Sequence, residues 1–382
     1  MRMTKAVDTN KVPGREYARG VWIAAPAQQQ RDTETGHAFD VLSGGIGNNV
    51  HVYFNRANFT YDGRHLIFRS DRTGSWQLYA YDISEQRLRR LTEATLDPHV
   101  KGRPCIDPCR PLLYYMQGSE VHRLNIETLV DEVVYRHPTS EGGTFYLMDI
   151  SGDGQYLGFV EEAPFDKTDD ARADWGRRFE ARPLTSFWIA TADGARVWKV
   201  HEEKRCLQHL LFCPTDPTTL MYCHEGPNDR VEQRMWLMHW DGTRIRPLRY
   251  QETPDLAIGH EYWCRDGRHV DYMNYARKAI CRIDTLSGEE TVLADHHFCH
   301  FISDRSGTLI VGDEFAGYIT LLDVKTGTLT PLVRHNQEMT MANGLYHPHP
   351  AFSPDGKHIV FCRKDEQGRN DVCLMERPNN KK

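Results

Sequence analysis

The residues best equipped for chemistry are the histidines, of which the chain carries 19. His347 and His349 flank Pro348. In an extended strand, residues two apart face the same side, so this pair offers two imidazoles to one point. His300 is the candidate for a third. Three neutral imidazoles with open positions make a catalytic rather than a closed structural metal site. Imidazole suits Zn, Ni or Fe, and an added carboxylate or amide oxygen favours Mn. His260 is left over from the ligand set, and an imidazole that titrates near neutrality can act as a general base. Arg56, Arg103 and Arg234 point to an anionic substrate, because guanidinium pairs bidentately with carboxylate and keeps its charge. Arg234 has an alternative inside the chain, an ion pair with a carboxylate such as Glu225 or Glu232. A metal, an arginine and a neutral imidazole around a carboxylate favour one reaction. A proton α to a carboxylate is very weakly acidic, and cations on the carboxylate oxygens stabilise the charge that builds as an imidazole removes it. If the β carbon carries a glycosidic oxygen, that oxygen leaves, and a uronate chain is cleaved by β-elimination.

These side chains can meet only if a repeating framework brings them together. The clearest repeat copy spans residues 59–93 and recurs at 352–376. Each copy reads as short apolar strands separated by turns, the first turn built on Asp-Gly, where glycine supplies the positive φ of a tight hairpin. Seven copies are found, with first strands near residues 56, 103, 147, 209, 260, 300 and 349. Their spacing of about 40–60 residues is that of four-stranded propeller blades. The sequence therefore predicts an all-β fold, one seven-bladed β-propeller. The last copy has three strands, and residues 36–43 have no blade of their own. That segment is expected to complete the last blade and close the ring, which removes open edges. Residues 1–34 are expected as an N-terminal extension, 35–378 as the propeller and 379–382 as a tail. A polar insert at 164–183 in the third copy is expected as a surface excursion or short helix.

The copies can be aligned on the residue that opens the first hairpin: Asp62, Cys109, Asp153, Thr215, Asp266, Ser306 and Asp355. Six residues earlier stand Arg56, Arg103, Leu147, His209, His260, His300 and His349. Innermost strands line a propeller's channel, so this position is a channel mouth on the face opposite the hairpins. A concave mouth lined by polar groups is the expected binding site.

Composition excludes other classes. The charge of −6 and the absence of a basic stripe argue against nucleic acid. No apolar run reaches the ~18 residues of a membrane span, and the polar N-terminus has no apolar secretory core, so the cytoplasm is the expected location. Ten scattered cysteines without a CxxC pair fit a reducing compartment. No GxSxG elbow marks a propeller-associated peptidase. Oligomeric state is not legible.

At these residues the chain resembles the oligogalacturonate lyases, seven-bladed propeller polysaccharide lyases. The matching stretches are 59–68, 222–242 with CHEGP, 259–263 with GHEYW, 299–313 with VGD, and 347–356 with HPHP. The resemblance covers roughly residues 35–378; the Asp-Gly hairpins alone are shared with many TolB-like propellers. It implies a base at His260, an arginine at Arg234 that neutralises the uronate, and Mn²⁺ on His300, His347 and His349. It implies a cytoplasmic enzyme acting on short galacturonides, mainly dimers, as the small anionic partner. The family's fourth ligand is a glutamine at the position of Gly344, so Asn343, one residue away, is the stand-in. Arg56, Arg103, His209 and His224 are the expected substrate contacts. Two other readings stay open: a propeller lyase for another uronate linkage, such as rhamnose–glucuronate, and a non-catalytic binding propeller.

Overall fold

The structure is a computed structural model that describes residues 17–97, 102–139, 141–166, 171–227, 229–251 and 257–378; for 171–173 and 341–343 it describes the backbone alone. Short apolar strands joined by tight turns cannot bury both faces alone, and stacking blades radially solves this. Seven antiparallel sheets result. Their innermost strands, blades 1 to 7, are Asn49–His51, Cys105–Ile106, Thr144–Ile150, Leu207–Cys213, Ile258–Trp263, Phe298–Ser303 and Ala351–Phe352. An apolar cluster fills each of the seven blade interfaces; Phe145, Leu147 and Phe159 of blade 3, for example, pack on Tyr114 and Met116 of blade 2. The hairpin turns close as expected: Gly63, Gly154, Gly267 and Gly356 all have φ near 70°, at 72°, 70°, 67° and 68°.

Blade 7 takes its fourth strand from the N-terminal side. Ala38–Val41 pairs antiparallel with Asn370–Glu376, Val41 opposite Cys373. The segment ahead of residue 35 contributes more than an extension. Gln28–Arg31 adds a fifth strand to blade 7, and Trp22–Ala24 adds a fifth strand to blade 1. Residues 1–16 and the expected tail at 379–382 lie outside the described residues. Among the described residues no helix is long and apolar enough to cross a membrane. All ten cysteines are free thiols, and Cys109 alone is exposed.

The polar insert forms an α-helix, Ala171–Ala181, between the second and third strands of blade 3. Its Arg178 pairs with the buried Glu162 beneath it. Phe179 fits over Gly226 of the CHEGP loop, where a Cβ would stand 2.2 Å from the ring. The helix also packs on the 3₁₀ turn Met341–Tyr346, just before His347. It therefore lies over the mouth that the histidines face.

Candidate metal and general-base site

The histidines are aimed by a backbone device. In blades 4, 5 and 6 the pairing of first and second strands slips, so that two inner residues oppose one: His209 and Leu210 opposite Tyr222, His260 and Glu261 opposite Tyr272, Cys299 and His300 opposite Asp313. Such bulges re-aim side chains and are frequent at active sites. Non-glycine residues seldom adopt positive φ, yet His209, His260 and His349 have φ of 52°, 54° and 46°. For His209, His260 and His300 the shared phase seen in the sequence is thus a bulge that turns the imidazole off the ladder, while His349 stands just ahead of its strand.

The rings converge. His300 lies 4.2 Å from His349, 4.4 Å from His260 and 5.4 Å from His347, centroid to centroid. One nitrogen from each of His300, His347 and His349 falls within 4.8 Å of the others, and all three residues are buried. Burial, with the neighbouring His300, holds His347 down at about 4 and His349 well below the ordinary histidine value. Both are neutral with lone pairs available. His347 Nε2 donates to the Thr340 carbonyl at 2.9 Å, which leaves Nδ1 for the cluster. His300 Nδ1 faces the Asp313 carboxylate at 3.1 Å, which leaves Nε2. An outer acceptor that fixes each ligand's tautomer is the arrangement metal-binding histidines use. The donor set therefore fits a divalent metal.

Asp313 does more than orient one ring. It accepts the His300 N–H freed by the bulge at 2.7 Å, and the His349 N–H across the blade boundary at 3.0 Å. Burial alone would raise its carboxyl, but His300 and these donors outweigh that and bring it to about 2. Blade 1 supplies the wall: Tyr53 lies 4.6 Å from His349, and Phe54 lies 5.3 Å from His300 and 6.0 Å from His260. His51 Nε2 sits 3.1 Å from the Pro348 carbonyl, bracing the His-Pro-His turn.

His260 is half-buried at the mouth. Burial, then His300, then Arg234 push it well below the ordinary value, so it is neutral. Its Nδ1 contacts the Tyr275 hydroxyl. Tyr275 also packs on Gly259, where a Cβ would stand 3.1 Å from its ring. Burial raises the Tyr275 phenol well above its ordinary value, so it stays protonated.

Arg234 realises the internal alternative, with one of the two named partners. It donates to Glu225 at 2.7 and 3.2 Å and to Glu261 at 2.9 and 3.3 Å, and is 4% exposed. Glu261, missed in the sequence although it follows His260 directly, also meets His209 Nδ1 at 2.8 Å. Arg103 stacks on Tyr53 at 3.6 Å and joins the site through it. Two expected contacts do not join. Strand alternation sends His224 to the far side of its blade, where it meets Glu203 at 3.2 Å and stacks near Trp236. Arg56 lies beyond Phe54, beside Asp149 at 3.6 Å; blade 1's inner strand ends at His51, and the loop that follows displaces the counted register. The Asn343 side chain lies outside the described residues.

Comparison with known proteins agrees with this geometry. A family model described as oligogalacturonate lyase matches residues 18–381. The chain is 27% identical over 364 residues to the oligogalacturonate lyase of Dickeya dadantii (strain 3937), spanning 86% of this chain and 90% of that one. It is 27% identical over 362 residues to the oligogalacturonide lyase of Pectobacterium atrosepticum, again across 86% and 90%. Among solved structures, an oligogalacturonate lyase in complex with manganese superposes with a TM-score of 0.86 at 26% identity, covering 95% of this chain and 99% of that one. The Vibrio parahaemolyticus oligogalacturonate lyase shares the fold, with a TM-score of 0.85 at 22% identity over 96% and 100% of the two chains. With the family model spanning nearly the whole propeller, the chain belongs to the oligogalacturonate lyase family of carbon–oxygen lyases.

Proposed function

We infer that the protein cleaves short oligogalacturonides, chiefly dimers, by β-elimination, in the cytoplasm and with manganese at the three-histidine centre. The observation that carries this reading is the neutral His260 ring 4.4 Å from His300, beside three buried imidazoles, two of them with tautomers fixed by outer acceptors. The manganese of the similar solved structure supports the metal; the free cysteines suit a reducing compartment.

The chain's own groups divide the work. Manganese on His300, His347 and His349 would supply positive charge beside the uronate carboxylate. His260 takes the C5 proton through Nε2, with its Nδ1–H donated to the Tyr275 oxygen. The C5–H electron pair becomes the C4=C5 double bond, and the C4–O pair departs with the glycosidic oxygen, which ends protonated. Burial and His300, helped by the charge of Arg234, keep His260 unprotonated; Arg234 also holds Glu261 beneath it, and its one N–H not taken by Glu225 or Glu261 is what remains for a uronate. Arg103 and Tyr53 border the metal side, and His209 borders Glu261, so these are the proposed substrate contacts. The helix Ala171–Ala181 over the mouth favours short chains.

Replacement of His260 by alanine tests this. Turnover should fall by about 10²–10⁴-fold, the range for a lost general base, while metal content stays at the wild-type level. Loss of metal in His260→Ala would make this residue a ligand and end its assignment as base.

A further inference from the structure

The register that gathers histidines at one mouth gathers arginines at the other. The residue just before each first-hairpin turn lines the opposite end of the channel in all seven blades. Blades 5 and 6 place Arg265 and Arg305 there, while the other five have Tyr61, Gly152 or proline. Behind this rim is a cavity of about 520 Å³, walled by the innermost strands of blades 2 to 7 and by the loop after that of blade 1, a volume typical of small-molecule sites. Phe54 forms part of its floor and separates it from His260 and His300.

The cations here are weakly paired, with Asp149 the carboxylate shared by Arg56 and Arg265. Arg265 and Arg305 are exposed and form no side-chain hydrogen bond or ion pair among the described residues. Asp304, on the same wall, is committed to its own turn through Thr308 N, Leu309 N and Ser306 Oγ. Desolvation in the channel mouth, then the charge of Arg305, lowers Arg265 from the ordinary guanidinium value, only partly offset by the Asp149 carboxylate. At the floor, Arg56 has a side chain only 8% exposed. Its nitrogens face Cys105 Sγ at 3.4 Å and Met148 Sδ at 3.0 Å, which are weak acceptors, and Asp149 no closer than 3.6 Å. Asn55, also on the wall, has a side-chain oxygen without a hydrogen-bond partner.

We propose that this cavity is a second binding site, for a small hydroxylated carboxylate, with Arg265 and Arg305 holding the acid group and the floor receiving hydroxyls. Paired guanidiniums suit a carboxylate, and the partly exposed Asp149 carboxylate on the same wall can accept from a hydroxyl, which an inorganic halide or a simple fatty acid lacks. The site does not rest on the lyase reading, because Phe54 and the histidines lie on its other side.

The test is calorimetric titration with galacturonate of wild-type protein, of wild-type protein stripped of metal, and of Arg265→Gln/Arg305→Gln. Galacturonate should bind the wild type and still bind after chelation. The double variant should weaken that metal-independent binding by at least about ten-fold, the scale of two lost charge-assisted hydrogen bonds, with lyase turnover unchanged. Neutral methyl galactoside should not bind there. Equal affinity in the double variant, equal binding of the neutral sugar, or disappearance of all binding on chelation would each overturn the proposal.

Discussion

Asp313 is the residue on which the metal site turns. One carboxylate satisfies the His300 N–H left open by a bulge, orients the His300 ring and holds the His349 backbone in the next blade. Outer-shell partners of this kind are worth about 10–100-fold in metal affinity. Asp313→Asn should therefore weaken manganese binding by about that factor, read by titration against a metal indicator, while circular dichroism stays that of a propeller. Affinity equal to wild type would mean the three imidazoles are oriented by other contacts. Much at this scale was legible: His260, His300 and His349 share a phase because each stands six residues before the first hairpin turn of its blade, with a bulge at His260 and at His300, and His347 lies two residues before His349. Asp313, Tyr275 and Tyr53 were not. They reach the site from a second strand, a turn and a loop, and no spacing along the chain reports that approach. Glu261 carried a signal, since it adjoins the proposed base, but alternation alone would send it to the other face; the bulge is what brings it under Arg234.

The elements explain where counting residues failed. A repeat register is reliable while the strand is continuous. In blade 1 the inner strand stops at His51, and residues 52–58 form a loop that swings Tyr53 and Phe54 onto the axis and carries Arg56 past them. His224 fails for a simpler reason: its strand alternates, so Cys223 faces His209 and Glu225 while His224 faces Glu203. The insert was readable as polar but not as a cover for the mouth, because its seat is Gly226, a residue distant in sequence. Gly226→Ala would press a methyl into the Phe179 ring. Overpacking of this kind costs about 1–3 kcal/mol, and here the helix can yield. Amide hydrogen exchange should quicken across residues 171–181 and stay unchanged in the innermost strands. Unchanged exchange in the helix would show that Gly226 is not its seat.

For the whole molecule, closure depends on a strand borrowed across nearly the full chain length. Ala38–Val41 pairs with Asn370–Glu376, and Ser43 Oγ donates to Asp371. Its lack of a blade marked both this strand and its destination. The two additional outer strands at 22–31 gave no comparable pattern: Gln28–Arg31 is exposed along its length, and edge strands of that kind carry no buried face to betray them. Phe39 packs its 2%-exposed ring on Phe361 at the closure. Phe39→Ala should cost about 3–5 kcal/mol, seen as a lower denaturation midpoint with the transition still single. A midpoint equal to wild type would show that the ring closes without this contact. The net charge of −6 works against a long anionic chain at a distance, which agrees with a site for short oligomers beneath a helix.

The central claim is metal-dependent β-elimination at the histidine mouth, and the most direct measurement is a mass spectrum of the products from digalacturonate with manganese-loaded and chelator-treated protein. The loaded enzyme should yield one galacturonate and one monomer lighter by the elements of water, and chelation should abolish both. Two galacturonates, or turnover indifferent to chelation, would contradict the account.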